Sequence, residues 1–423
     1  MKHFRIALVA LLAIALTASG ALALNWYKVF DTGFGQQPNN NVHDWQRIRT
    51  NDVVVDGAGN VYATSTYQEN NTGGGGVSIW NPYTKAVTNV SLANTGAITK
   101  MVVAGDGKVY ALQNWLQVHW NYDTGVDSRL IRINPNGTID VIRNFGNNGA
   151  WNSPNYRPQG LAVGGDGNVY YTWNGVAQKY DYFWKYDVVA DTHTSLNSGV
   201  NQGWSGLEKL YDLAYVGNNW FSIIEAGQSN WRQDPISATA TRVTGTASNP
   251  GWGRDWCTGL AFDASTGKLW TGARGGSNRL ILSMWSGLNP ADGKFANQTV
   301  FHALNYDFDN GVNWWTSAIT AGGGKAYMGF MAGSDTNTIN GAKGKVFSYV
   351  NGWDAFDEGT PQAGADVVGL HYGPYGVVYA LVLDRPTGVY TVYQSVPVPE
   401  PGSLLALGSG LIGLAGLALR RRS

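Results

Sequence analysis

Short runs of alternating apolar and polar residues recur along the chain, each broken by a glycine-rich turn and followed by an apolar–aromatic pair. The strongest copies are VVVDGAGNVYAT (Val53–Thr64), MVVAGDGKVYAL (Met101–Leu112) and LAVGGDGNVYYT (Leu161–Thr172). Weaker copies are LAYVGNNWFSI (Leu213–Ile223), LAFDASTGKLWTG (Leu260–Gly272), ITAGGGKAYMG (Ile319–Gly329) and VGLHYGPYGVVYAL (Val368–Leu381). A period of two in β-branched and aromatic residues predicts strands. Asp-Gly, Gly-Asp-Gly and Gly-Gly-Gly supply the positive φ angles that tight hairpin turns need. A second hairpin follows several copies, as in Ser78–Val90, Arg129–Ile142 and Phe183–Leu196, with Asn-Pro or Asn-Gly marking some of the turns. Two hairpins make one four-stranded unit.

The aromatic of each copy serves as an anchor: Tyr62, Tyr110, Tyr170, Phe221, Trp270, Tyr327 and Tyr379, spaced 48, 60, 51, 49, 57 and 52 residues apart. Seven four-stranded units at roughly fifty residues predict an all-β, seven-bladed β-propeller over residues 24–395. After Tyr379 only one further clear strand remains, Val389–Tyr393, so the last blade lacks its outer strand. Trp26–Phe30 is a strand-like segment with no blade of its own. It is expected to pair beside Val389–Tyr393 and close the ring, which removes an exposed sheet edge.

Both ends read as targeting segments. Lys2, His3 and Arg5 precede an apolar stretch from Ile6 to Leu16, and Ala21-Leu22-Ala23 offers small residues for cleavage before Leu24. Residues 1–23 are therefore expected to be a secretory signal peptide, which implies the Sec translocon and signal peptidase as partners. At the other end come a Pro-rich linker (396–401) containing Pro399-Glu400-Pro401, an uncharged apolar run (402–419) and Arg420-Arg421-Arg422 in the tail 420–423. The apolar run approaches the roughly 20 residues of a membrane-spanning helix, and the basic end is expected to stay cytoplasmic. This tripartite ending resembles the PEP-CTERM sorting signal of Gram-negative bacteria. The resemblance implies transient inner-membrane anchoring, cleavage by an exosortase, and a final place at the cell surface or outside the cell. It names an address, not an activity.

Composition narrows the partners of the body. Without Lys2, Arg5 and the three terminal arginines 24 basic residues remain, and without Glu400 28 acidic ones, so the body's net charge is near −4. That balance argues against nucleic acid, which requires a basic footprint. The lone Cys257 excludes an internal disulfide and is expected to be a packed thiol beside Trp256.

Candidate chemistry lies in the loops. In an up-and-down blade, the loop entering the innermost strand and the loop after the second strand open on one face. Those loops are the longer ones and hold Trp45, Arg47, Trp115, Trp120, Tyr156, Arg157, Trp231, Arg254, Asp255, Trp256, Trp314 and Trp315. Flat rings beside fixed polar groups suit a saccharide, whose C–H faces stack and whose hydroxyls need partners. Packing between blades is the competing use of any single tryptophan. Extracellular polysaccharide is thus the leading expected ligand, bound without catalysis. A carbohydrate-active lyase or hydrolase, or a purely structural propeller, remains open. No Gly-x-Ser-x-Gly elbow and no His-Glu-x-x-His helix occurs in the sequence. The histidines at 43, 119, 193, 302 and 371 are scattered, and Asp307–Gly311 lacks the distal Glu of a calcium loop. No metal or cofactor is expected. Carboxylates for general acid–base work would come from Asp44, Glu208, Asp212, Glu225 or Asp255.

Overall fold

Each glycine-marked turn joins two antiparallel strands, and four strands in succession form one sheet. The structure is a computed structural model that describes residues 24–35, 52–69, 72–92, 97–114, 128–146, 158–174, 181–196, 209–226, 231–238, 246–248, 256–275, 279–302, 314–332, 344–351, 356–384 and 386–396. The signal-peptide and sorting-tail expectations lie outside the described residues.

The first strand, β1 (Asn25–Asp31), stands apart from its sequence neighbours. Blade 1 follows as β2 (Val53–Val55), β3 (Val61–Glu69), β4 (Thr72–Trp80) and β5 (Val87–Ser91). Blade 2 is β6 (Ala97–Val103), β7 (Val109–Asn114), β8 (Ser128–Ile133) and β9 (Ile139–Gly146); blade 3 is β10 (Pro158–Val163), β11 (Val169–Asn174), β12 (Asp181–Asp187) and β13 (Thr192–Ser195). Blade 4 is β14 (Lys209–Gly217), β15 (Trp220–Ala226), β16 (Trp231–Ser237) and β17 (Thr246–Ser248). Blade 5 is β18 (Trp256–Asp263), β19 (Lys268–Gly275), β20 (Arg279–Leu288) and β21 (Phe295–His302); blade 6 is β22 (Trp314–Gly322), β23 (Lys325–Ala332), β24 (Val346–Tyr349) and β25 (Phe356–Asp357). Blade 7 takes β26 (Asp366–Tyr372), β27 (Val378–Asp384) and β28 (Val389–Val396).

The fourth strand of blade 7 is β1, so the sheet order there is β1-β28-β27-β26. Tyr27 lies opposite Gln394, Lys28 opposite Tyr393 and Phe30 opposite Val392. The expected closure is therefore present. The innermost strands β2, β6, β10, β14, β18, β22 and β26 each contact the next, and β26 returns to β2. The ring is complete.

The repeat's aromatic has a consistent task. Tyr62 packs toward blade 2, Tyr110 toward blade 3, Tyr170 toward blade 4, Tyr327 toward blade 7 and Tyr379 toward blade 1. In the first three blades the turn aspartate also caps that ring. Tyr62, Tyr110 and Tyr170 hydroxyls donate to Asp56, Asp106 and Asp166 at 3.2, 3.0 and 3.0 Å. Burial pushes the Tyr110 hydroxyl up to about 12, with the hydrogen bond to Arg132 pulling against it.

Blade 4 departs from the expected anchor. Phe221 pairs with Tyr215 and packs back toward blade 3, its ring 4.5 Å from Tyr170. The position equivalent to Tyr62 is Ser222. The cause is the turn: Asn218 and Asn219 both have positive φ, and the register shifts between Tyr215 and Gly217. One residue of slip turns every side chain to the other face.

Candidate functional site: the inner ring and the loop face

One position recurs in each innermost strand, two residues before the one that faces the repeat's aromatic position. Matching registers place Asp52, Lys100, Gly160, Asp212, Gly259, Ala318 and Gly369 there. All but Lys100 abut the following blade. At Gly160 and Gly369 the glycine brings the next blade's backbone close, and at Gly259 it makes room for the Ile319 side chain. A Cβ on Gly160 would lie 2.7 Å from Leu213 Cβ and 2.9 Å from its nitrogen, and one on Gly369 would lie 3.3 Å from the Val53 nitrogen.

Where the position is aspartate, the carboxylate makes the same junction by hydrogen bonds. Asp52 Oδ1 accepts the Val53 N–H at 2.8 Å while Oδ2 accepts the Met101 N–H of blade 2, also at 2.8 Å. Asp212 repeats the pattern with Leu213 of its own strand and Leu260 of blade 5, both at 2.8 Å. Lys100 reaches past blade 3 to blade 4. Its Nζ donates to Asp212 Oδ1, and to the Leu213 carbonyl at 3.2 Å. Burial pushes the Asp52 carboxyl up to about 6, against the two N–H donors and the Lys100 charge, with Asp212 adding to the rise.

Asp212, expected in a loop as a candidate acid or base, is therefore a buried strand residue whose two oxygens join blades. Sequence reading missed this ring because its partners lie 48 to 113 residues apart. Burial also pushes the His371 imidazole of β26 down to about 4. Among the described residues, no group of three His, Cys, Asp or Glu side chains could hold a metal ion.

The aromatic candidates separate into two sets. Trp45, Arg47, Trp115, Trp120, Tyr156, Arg157, Arg254 and Asp255 lie outside the described residues, as do His43, His119 and Asp307–Gly311. Trp231, Trp256, Trp314 and Trp315 were expected in loops and instead belong to strands. The backbone at Trp231 pairs with Ala226 and Ser248, at Trp256 with Arg274, and at Trp314 and Trp315 with Ala332 and Met331. Aromatic residues favour strand backbone, and the ladders run on to include them. Cys257 is likewise a β18 residue, opposite Ala273.

The strand directions still bring these four to one side. β16 starts from a loop after a second strand, and β18 and β22 start from loops entering an innermost strand. All three strands begin at the loop face, while the turns that join first to second and third to fourth strands lie on the opposite, turn face. The described tryptophan side chains elsewhere are packing residues. Trp80 stacks with Phe30 at 6.4 Å, Trp184 lies 3.9 Å beneath the Arg143 guanidinium from blade 2, and Trp270 and Trp285 are buried.

A family model for the PEP-CTERM protein-sorting motif matches residues 397–422. Comparison with curated proteins gives no match. Among solved structures, the chain is similar to a catalytically inactive virginiamycin B lyase from Staphylococcus aureus with quinupristin (TM-score 0.52, 14% identity, 88% of this chain and 99% of that chain). It is also similar to a streptogramin B lyase (TM-score 0.51, 10% identity, 88% and 98%) and to the polysaccharide lyase Uly1 (TM-score 0.51, 11% identity, 88% and 99%). At these identities the likeness is one of fold. The motif implies export, membrane-anchored sorting and exosortase processing. The chain is a seven-bladed β-propeller that carries a PEP-CTERM protein-sorting motif.

Proposed function

We propose that this exported propeller is a cell-surface or matrix component of a Gram-negative bacterium that binds extracellular polysaccharide through its loop face and does not turn it over. The supporting observation is a shared rim: the strands headed by Trp231, Trp256 and Trp314-Trp315 all begin at the loop face. Tryptophans at the starts of strands on one rim suit the stacking of sugar faces. In this reading the signal peptide directs the chain to the Sec translocon, 402–419 holds it in the inner membrane, and exosortase cleavage places it outside.

An enzymatic use of the scaffold has less support. Of the carboxylates available for acid–base work, Asp212 is committed to joining blades 4 and 5 and to Lys100. The polysaccharide-lyase neighbour contributes its fold and nothing further to this choice.

Calorimetry of the Leu24–Val398 domain against the producing organism's exopolysaccharide tests the reading. Saturable binding is expected, weakened at least tenfold in a folded Trp314→Ala/Trp315→Ala variant, with no shortening of the glycan. Absence of binding at millimolar sugar overturns it, and glycan cleavage moves the assignment to an enzyme.

A further inference from the structure

The two ends of the propeller meet at one corner, and that corner lies on the turn face. Asn25 opens β1 directly opposite Val396, the last residue of β28. Within blade 7, β26 and β27 are joined by the tight turn around Pro374–Gly376, so β28 runs from the loop face down to the turn face. β1 starts there and climbs back. The corner is firmly packed. Leu24 and Trp26 pack on the cluster between blades 6 and 7, and the Trp26 indole donates to the Glu358 carbonyl at 2.9 Å.

The sorting motif begins at residue 397, one residue beyond β28. Only 397–401 separate the strand from the apolar run. Whatever their conformation, five residues span at most about 18 Å. β28 is 8 residues long, so the loop face stands on the order of 27 Å from the point where the tail leaves. A tail that short cannot bring the loop face down to the bilayer.

The geometry points to a fixed polarity for the membrane-attached precursor: the turn face is the surface that meets the lipid headgroups, and the loop face points away. The inference stands on the position of the corner and the sorting motif, and is independent of the ligand. It places the candidate binding rim outward while the tail is attached.

Energy transfer to acceptor-labelled lipid headgroups tests this with the full chain, tail intact, in proteoliposomes lacking exosortase and polysaccharide. In a Cys257→Ser background, one donor goes on Tyr375→Cys, at a turn-face residue 97% exposed. Another goes on Thr387→Cys, exposed at the other end of β27. Val189→Cys, 89% exposed in the blade 3 turn, is a second turn-face site. Transfer from the two turn-face labels is expected to exceed that from Thr387→Cys at least twofold. Equal transfer, or stronger transfer from Thr387→Cys, overturns the proposal.

Discussion

At the scale of the residue, Asp52 shows how the ring is fastened and what that costs. Its carboxyl titrates near 6 in the fold, above its ordinary 3.8, because burial disfavours the charge. The folded state therefore binds more protons than the unfolded one between about pH 4 and pH 6. This group's stabilising contribution is complete below pH 4 and is lost as pH rises through 6. Asp52→Asn removes that dependence and leaves the Met101 N–H without its carboxylate, at a cost of about 1 to 3 kcal/mol. Urea unfolding at pH 4, 5 and 6 is expected to show the wild-type advantage over the variant shrinking as pH rises. An advantage that grows with pH would contradict the assignment. None of this was legible in the sequence, where Asp52 looks like any polar residue before a strand. Its meaning comes from Met101, a neighbour in the ring and 49 residues away in the chain.

At the scale of the element, the strands and turns could be read because each hairpin is local and glycine marks its turn. The blade 4 aromatic could not be placed, since an Asn-Asn turn shifted the register by one residue. The loop tryptophans went the same way: Trp231, Trp256, Trp314 and Trp315 extend strands beyond the alternating core pattern that marks them in the sequence. Glycines divide by role in a manner composition cannot show. Gly160 lies against Leu213 of the next blade, whereas a Cβ on Gly57 would meet nothing within 4 Å. Gly160→Ala is expected to destabilise the protein by about 1 to 3 kcal/mol through overpacking. Gly57→Ala is expected to be neutral or stabilising by up to about 1 kcal/mol. Thermal melts of the pair check the distinction, and equal effects would argue against a tight junction at Gly160.

At the scale of the whole molecule, the number of blades and the pairing of the first strand with the last were both legible, since seven copies left one strand over and one strand missing. Phe30 carries much of that closure: it is 6% exposed, stacks with Trp80 and shares a cluster with Val53, Val368 and Val392. Phe30→Ala is expected to cost about 3 to 5 kcal/mol. Hydrogen exchange of β28 is expected to quicken more than that of β14 or β18. Uniform acceleration around the ring would mean that β1 is not a separate latch.

The latch also sets a timetable for the protein's birth. Asp31 and Thr391, held together by a side-chain hydrogen bond, are 360 positions apart, so β1 must wait for nearly the whole chain to emerge before it has a partner. Pairing over such a distance is entropically costly and slow. During export the molecule is consequently an open arc with a waiting first strand and, at the last, a bare β28 edge. The same few residues that complete that edge stand immediately before the sorting motif, so the arc can shut only when the segment that exosortase processes is already arriving at the membrane.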